Sequence, residues 1–153
     1  MELTPTTASA YVHLAFDQML AVADRLGDDK VNERPISAQT NPVAALVLHC
    51  CGVAEFWLGH VGLGRESVRD RDAEFAAQAT VVELHGVVAS ALNQIDADLV
   101  ALDAGGTQSP FVEGRELLTG VDQSDASLVI HVLEELFQHL GHCEIAADAL
   151  TAD

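Results

Sequence analysis

The chain has 153 residues, 49% of them hydrophobic, and carries 24 Asp and Glu against 7 Lys and Arg, a formal net charge of −17. Length and apolar content exclude a disordered chain, and we expect residues 1–153 to form a single domain. The negative charge argues against nucleic acid and anionic membrane surfaces as partners. Three cysteines, no signal peptide and no apolar stretch long enough to span a bilayer together predict a cytoplasmic protein.

Two helices are predicted in the first part of the chain. The first follows "TPTT", where Thr and Pro favour a helix start, and it ends at Gly27 in "GDDK". The second opens at Asn41 and Pro42, as a capping residue followed by proline at the first helical position. It continues as "VAALVLHCCGVAEFWLGHVGLG" and ends around Gly62 or Gly64. Because this helix is apolar on every side, we expect it to lie deep in the core.

Two further helices complete the predicted fold. The segment "RESVRDRDAEF" is expected to be a charged connection, and the third helix runs from about Thr80 to Leu102 with apolar residues three and four positions apart. The segment "DAGGTQSPFVEGRELLTG" is expected to be irregular, and the fourth helix runs from Asp125 or Ser127 to about Leu150. No strand pattern competes with these helices. The predicted fold class is all-α, a four-helix up-and-down bundle with antiparallel neighbours.

The segment "HVLEELFQHLGHCEI" places ionisable residues on the inner face of the fourth helix. Residues four positions apart differ by about 40° around a helix axis, so Glu135 and His139 point the same way, with His142 on the same broad face. A carboxylate and an imidazole one turn apart can bind a single divalent ion. A third ligand must come from another helix, and His49, in the middle of the apolar second helix, is the best candidate.

A simpler interpretation exists for each of these residues. His49 could be a core histidine hydrogen-bonded to a carbonyl group. Glu135 and His139 could form an ordinary charged pair one helical turn apart. Burying all three groups without partners would cost several kcal/mol, whereas one shared cation would offset all three, and the combination therefore favours a metal site.

The remaining chemistry-bearing residues are assigned lesser roles. Four other histidines are expected at the surface or around the site: His13, His60, His85 and His131. The cysteines Cys50, Cys51 and Cys143 are expected to be small core residues, because their spacing does not match a zinc knuckle. The arginines Arg65, Arg69 and Arg71 could be ordinary solvated charges of a loop. In a chain this acidic they also form a local basic cluster, and Arg69 and Arg71 are the candidates for holding an anionic group of a substrate.

Three passages give the chain a recognisable likeness: "NPVAALVLHCCGVAEFW", "RDRDAEF" and "EELFQHLGH". With them it resembles the DinB/YfiT-like superfamily of four-helix metalloenzymes, and most of all the N-terminal domain of mycothiol-dependent maleylpyruvate isomerase. Many DinB-like proteins have His-x-x-x-His followed by Gly-Gln. Here Glu135 and His142 replace the first His and the Gln, and Glu at the first position is typical of the isomerase branch. The resemblance implies metal ligands at His49, Glu135 and His139, and no fixed role for His142.

The ligand set also suggests a type of chemistry. Two imidazoles and one carboxylate leave open positions on the ion, as in catalytic zinc sites. Zinc is the expected metal, with nickel or iron as alternatives. A thiol at an open position would lose its proton readily, and the resemblance implies mycothiol or a similar small thiol as cosubstrate. The expected activity is thiol S-transfer to an electrophile or thiol-assisted isomerisation through a metal-bound thiolate.

Two alternatives remain open at this point. One is a metal-dependent hydrolase, in which water takes the open position. The other is a non-catalytic metal-binding bundle whose site is closed by a fourth protein ligand, such as His142 or a cysteine. The expected partners are a small thiol and an electrophile, and the apolar second helix also allows a homodimer, although burial in the core explains the same residues.

Overall fold

The computed structural model describes residues 3–105, 120–122 and 124–152, and within these ranges the chain forms helices and no strand. The elements in chain order are α1 (Pro5–Lys30), α2 (Val43–Ala54), a π-helical segment (Glu55–Gly62), α3 (Arg71–Ala76), α4 (Val81–Asp103) and α5 (Asp125–Thr151). The predicted all-α class is confirmed. The irregular connection predicted before α5 lies mostly in residues 106–119, outside the described ranges.

Side-chain caps explain where the long helices α1, α4 and α5 begin. The Thr4 hydroxyl accepts a hydrogen bond from the Thr7 amide, with proline at the first helical position of α1. Thr80 and Glu83 form a reciprocal capping box at the start of α4, and Ser124 caps α5. Helical geometry in α1 is interrupted at Gly27, which has φ 66° and ψ 176°, so the helix breaks where the sequence predicted its end.

The second predicted helix divides into two kinds of helical geometry. Pro42 rather than Asn41 is the residue that precedes α2, and no side chain caps this end. After Ala54 the backbone widens into the π-helical segment. By length and composition Val43–Gly62 could cross a membrane, which corrects the expectation that no stretch is long enough, but 67% of its most apolar window is buried inside the protein. That burial is typical of the core helix of a soluble domain.

The directions of the four long helical elements differ from those of a simple up-and-down bundle, because some neighbouring helices are parallel. Contacts between Asp24 and His85 and between His13 and Asp96 make α1 and α4 antiparallel. Arg25 pairs with Asp148 near the ends of α1 and α5, so these two neighbours run parallel.

Helix α2 is antiparallel to α5 and parallel to α4. The ring of Trp57 lies 4.5 Å from that of His131, which makes α2 antiparallel to α5. Gly62, at the end of the π-helical segment, lies against Leu102 near the end of α4. The continuous helical run formed by α2 and the π-helical segment is therefore parallel to α4. The long connection formed by residues 63–80 allows α2 and α4 to be parallel, because an extended chain of that length can return along the bundle before α4 begins. We expected all neighbouring helices to be antiparallel. Local sequence patterns do not determine the relative direction of two packed helices, so the parallel pairs could not be predicted from them.

Candidate metal centre

The ligand atoms of His49, Glu135 and His139 all lie within 4.8 Å of one another. His49 comes from the middle of α2, while Glu135 and His139 are one turn apart on α5. The Nε2 atom of His139 lies 3.5 Å from the Glu135 carboxylate, and the rings of His49 and His139 meet nearly at right angles with centroids 4.9 Å apart. The three side chains that the sequence singled out therefore converge in the bundle interior.

The buried imidazole of His49 has a carboxylate partner that the sequence did not predict. Its Nδ1 donates to Glu74 Oε2 over 2.8 Å, and the side chains of His49 and Glu74 are only 4% and 13% exposed. A hydrogen bond at Nδ1 leaves Nε2 as the nitrogen with a free lone pair. Histidines that bind metals commonly donate their other N–H to a carboxylate in this way.

Arg69 fixes the Glu74 carboxylate in turn. Its Nε donates to Glu74 Oε1 over 2.7 Å and its Nη2 to Oε2 over 2.9 Å, a bidentate pair. The same Nη2 lies 3.2 Å from His49 Nδ1, because both nitrogens donate to one carboxylate oxygen. The ring of Phe75 also packs against His49, with ring centres 4.4 Å apart and the ring planes inclined at 30°. The imidazole is therefore held by a hydrogen bond and by a ring contact.

Gly52 makes room for this carboxylate against α2. A Cβ atom at that position would collide with Oε1 and Cδ of Glu74. Because Glu74 is held by hydrogen bonds from His49 and Arg69, it cannot move aside without breaking them. Glycine at this turn of α2 is thus part of the arrangement that orients His49.

The remaining histidine on this face contacts the triad from outside. His142 is exposed, and its Nδ1 lies 3.3 Å from Nδ1 of His139. Since the Nε2 of His139 faces Glu135, this contact involves the nitrogen that points away from the triad. His142 is not among the three residues whose ligand atoms converge.

The environment favours the protonation states that a metal site needs. Burial lowers the pKa of His49, although Glu74 opposes this effect, and burial also lowers the pKa of His139, with help from the neighbouring His49. Burial alone would raise the pKa of Glu74, but the hydrogen bonds from Arg69 and His49 outweigh it and hold that pKa below its usual value. The result is two neutral imidazoles beside an ionised carboxylate that orients one of them.

The donor set fits a divalent cation. Neutral histidine nitrogens and a carboxylate oxygen are ligands that zinc, nickel and ferrous iron accept. Two metal–ligand bonds of roughly 2.1 Å each span up to about 4.2 Å, so small side-chain rotations would bring all three atoms onto one ion. Among the described residues, this is the group of three such side chains that could hold a metal ion.

The other histidines lie away from the triad and have partners of their own. His13 pairs with Asp96, His85 with Asp24 and His131 with Glu134, whereas His60 bonds to the backbone carbonyl of Arg65. The cysteines are free thiols, with Cys50 and Cys143 fully buried and Cys51 partly buried. Burial raises the pKa of Cys51 and of Cys143 to about 12, which disfavours their thiolate forms.

The arginines of the charged connection are largely engaged in ion pairs. Arg65 donates two hydrogen bonds to Asp98, at 2.9 and 2.7 Å, and Arg69 is paired with Glu74. The exposed Arg71 lies with its guanidinium carbon 5.1 Å from the centre of the Phe75 ring. That Arg69 and Arg71 hold an anionic group stays a prediction, and Arg69 would have to do so while bound to Glu74.

Sequence reasoning missed Glu74 because it sits in a helix of six residues. Helix α3 begins after Asp70, whose side chain accepts a hydrogen bond from the Ala73 amide, inside a segment that was expected to be a connection. Six residues are too few for helical periodicity to emerge from the pattern. The available signal was the capping aspartate together with "EF", a carboxylate beside an aromatic residue that could reach the unpartnered His49.

Comparison with known proteins yields one match. The model of a family described as mycothiol-S-transferase matches residues 7–151, nearly the whole chain. No curated protein and no solved structure matches the chain significantly. The matched range includes α2, α3 and α5, and therefore every side chain of the candidate metal centre.

Proposed function

The chain belongs to the mycothiol-S-transferase family, a DinB/YfiT-like family, and on that premise we propose that it is a metal-dependent S-transferase. His49, Glu135 and His139 are the proposed ligands of one divalent cation, zinc in the first place and nickel or iron as alternatives. The proposed thiol cosubstrate is mycothiol, and the second substrate is a small electrophile.

The observation that supports this most strongly is the convergence of three ligand atoms from two helices, combined with the Glu74 hydrogen bond to His49. A buried histidine that merely fills space needs no bidentate Arg–Glu pair to orient it. Its Nε2 is left without a proton and directed away from Glu74, as a ligand nitrogen must be.

When bound, the cation would stabilise the thiolate form of a coordinating thiol and so supply a nucleophile at neutral pH. The protein's own residues have separate roles. Glu74 and Arg69 hold the tautomer and direction of His49, and His142 accepts a hydrogen bond from His139 Nδ1 and so orients that ring. Three protein ligands leave coordination positions for a substrate, which favours an open site over one closed by His142.

The test combines elemental analysis with turnover of the purified chain. With zinc supplied, the protein is expected to bind about one ion per chain and to consume mycothiol with 1-chloro-2,4-dinitrobenzene, forming an S–C bond as chloride leaves. His49→Ala and Glu135→Ala are expected to lose both metal and turnover. His85→Gln, a substitution at an exposed histidine paired with Asp24, should change neither.

Four results would test this proposal against its alternatives. Full metal loading without any thiol consumption would contradict S-transfer and favour a non-catalytic site. Hydrolysis of p-nitrophenyl acetate without thiol would favour the hydrolase alternative, and rearrangement of an unsaturated diacid in the presence of catalytic thiol would favour the isomerase. A metal-free wild type as stable as His49→Ala would contradict the metal centre itself.

A further inference from the structure

A cleft of 290 Å³ lies beside the candidate metal centre, enclosed by the loop 35–41, α2 and α5. Its wall on α2 is Leu46, one turn before His49, and its wall on α5 includes His142 and Ala146, the next turns after His139. Since the two helices are antiparallel, both steps lead in the same direction. The cleft therefore begins about one helical turn from the triad, with the ring of His142 as the shared wall.

Most of the surface that lines this cleft is apolar, and none of the lining residues is an acid. Leu46, Ala146 and two exposed isoleucines, Ile36 at 71% and Ile145 at 63% exposure, give it a hydrophobic body. Two larger clefts are lined by carboxylates, Asp103 and Asp125 in one and four acidic residues, including Asp98, in the other. In a chain of formal charge −17, an acid-free apolar cleft next to the triad is a distinctive surface.

Of the two half-buried polar side chains that line the cleft, Thr40 and Asn41, one is without a hydrogen-bond partner in the described part of the chain. The side-chain amide of Asn41 is half-buried at its wall and makes no hydrogen bond with the described residues, unlike Thr40, whose hydroxyl is bonded within the loop. The loop 35–41 that carries Asn41 is itself held by Arg34, which donates to the carbonyl groups of Ala38 and Thr40. A fixed loop thus presents a free hydrogen-bonding group to an apolar cavity, which is typical of a small-molecule site.

We propose that this cleft, here called the Ile145 cleft, binds a small uncharged ligand with an apolar body and one hydrogen-bond acceptor, which in S-transfer is the electrophile. The assignment of the ligand as electrophile rests on the proposed function. The volume suits this class, because a cavity of about 150 Å³ holds benzene and 290 Å³ holds a ring with a short chain. The Asn41 amide donates to the acceptor, while Ile36, Ile145 and Leu46 contact the apolar body.

The binding test uses a ligand that cannot react. The probe is 4-phenylbutan-2-one, a saturated ketone, titrated into the ¹⁵N-labelled full chain supplied with zinc and followed by amide chemical shifts. Shifts are expected at residues 36, 41, 142 and 145. Ile145→Gln should weaken binding by about fivefold or more, since it removes apolar contact area. Ile130→Gln is the matched control, because Ile130 is also on α5 and is similarly exposed at 57%.

Each outcome has a defined consequence. No shift in the Ile145 cleft, shifts concentrated around Cys51 and Ser90, or equal weakening by Ile145→Gln and Ile130→Gln would overturn the proposal. Preferential binding of N-acetylcysteine over the ketone at the same residues would overturn the electrophile assignment, because the thiol would then occupy the cleft. The ketone needs no turnover to bind, so failure of S-transfer with intact ketone binding would contradict the proposed function and support the cleft as a ligand site.

Discussion

His49 on α2 and Glu74 on α3 are 25 positions apart in the chain, and their side chains meet at 2.8 Å in an environment that excludes most water. This contact turns a histidine on an apolar helix into a group with one defined free nitrogen. Arg69 completes the chain of hydrogen bonds and neutralises the carboxylate. The arrangement makes Glu74 a positioning residue for the candidate metal centre, and its role can be tested separately from that of the three ligands.

Glu74→Gln keeps the size of the side chain but removes its charge and weakens its hydrogen bonds with His49 and Arg69. We expect the affinity for zinc, measured by competition with a chelator at pH 7, to fall by about tenfold or more, in line with other losses of such supporting carboxylates. Glu66→Gln, at an exposed carboxylate in the same connection, is the control and should leave the affinity unchanged. Equal zinc affinity in the Glu74→Gln and Glu66→Gln variants would contradict the positioning role of Glu74.

Gly52→Ala should weaken zinc binding as Glu74→Gln does, because it disturbs the same contact from the α2 side. Alanine normally stabilises a helix relative to glycine by roughly 1 kcal/mol, yet here the new methyl group would meet the Glu74 carboxylate. We expect weaker zinc binding and no gain in the free energy of unfolding from urea titrations. Gly86→Ala on α4, where a Cβ meets nothing within 4 Å, should instead be stabilising. A stabilised Gly52→Ala variant with normal affinity would contradict the close packing.

The sequence carried enough information for most of the fold and for the three proposed ligands. Capping residues such as Thr80 and the regular apolar spacing of α4 and α5 are local features, so the helices could be predicted from local pattern. The convergence of His49 with residues of α5 could be inferred because a buried ionisable group requires a partner.

What could not be predicted depends on packing between distant segments. Helix α3 is too short to produce a pattern, and its role appears only when the connection 63–80 folds back over α2 and brings Glu74 to His49. The parallel course of α2 and α4 follows from the same connection. The π-helical segment also has no sequence signature, although it contains Gly59, where a Cβ atom would collide with the Arg65 side chain.

The ion pair between Arg65 and Asp98 is predicted to anchor this connection. Asp98 is 2% exposed and also accepts a hydrogen bond from Gln94, whereas Arg65 is 36% exposed and can partly reach water. Asp98→Ala should therefore lower the free energy of unfolding by about 1–3 kcal/mol, less than for a fully buried pair. Asp103→Ala, at an exposed residue of the same helix, should change it by less than about 0.5 kcal/mol in the same urea titrations.

A pH-dependent contribution is expected from the contact between α1 and α4. The Ser9 hydroxyl donates to Asp96 over 2.6 Å, and His13 lies 3.0 Å from its other oxygen. Partial burial raises the pKa of Asp96, but these hydrogen bonds outweigh it and hold the pKa below its usual value. Because the folded state binds the proton more weakly than the unfolded chain, the contribution is present above the usual aspartate pKa of roughly 3.9 and is lost as the pH falls through the lower folded value.

Ser9→Ala removes one of these hydrogen bonds, so it should be less stable than the wild type at pH 6, and the difference should shrink as the pH is lowered to 3 and below. Urea titrations at several pH values measure the difference directly. Ser90→Ala on the exposed face of α4 is the control, with a difference from wild type that does not vary with pH. If the difference in the free energy of unfolding between Ser9→Ala and wild type stayed constant down to pH 2, the hydroxyl would stabilise the helix contact without acting on the ionised form of Asp96.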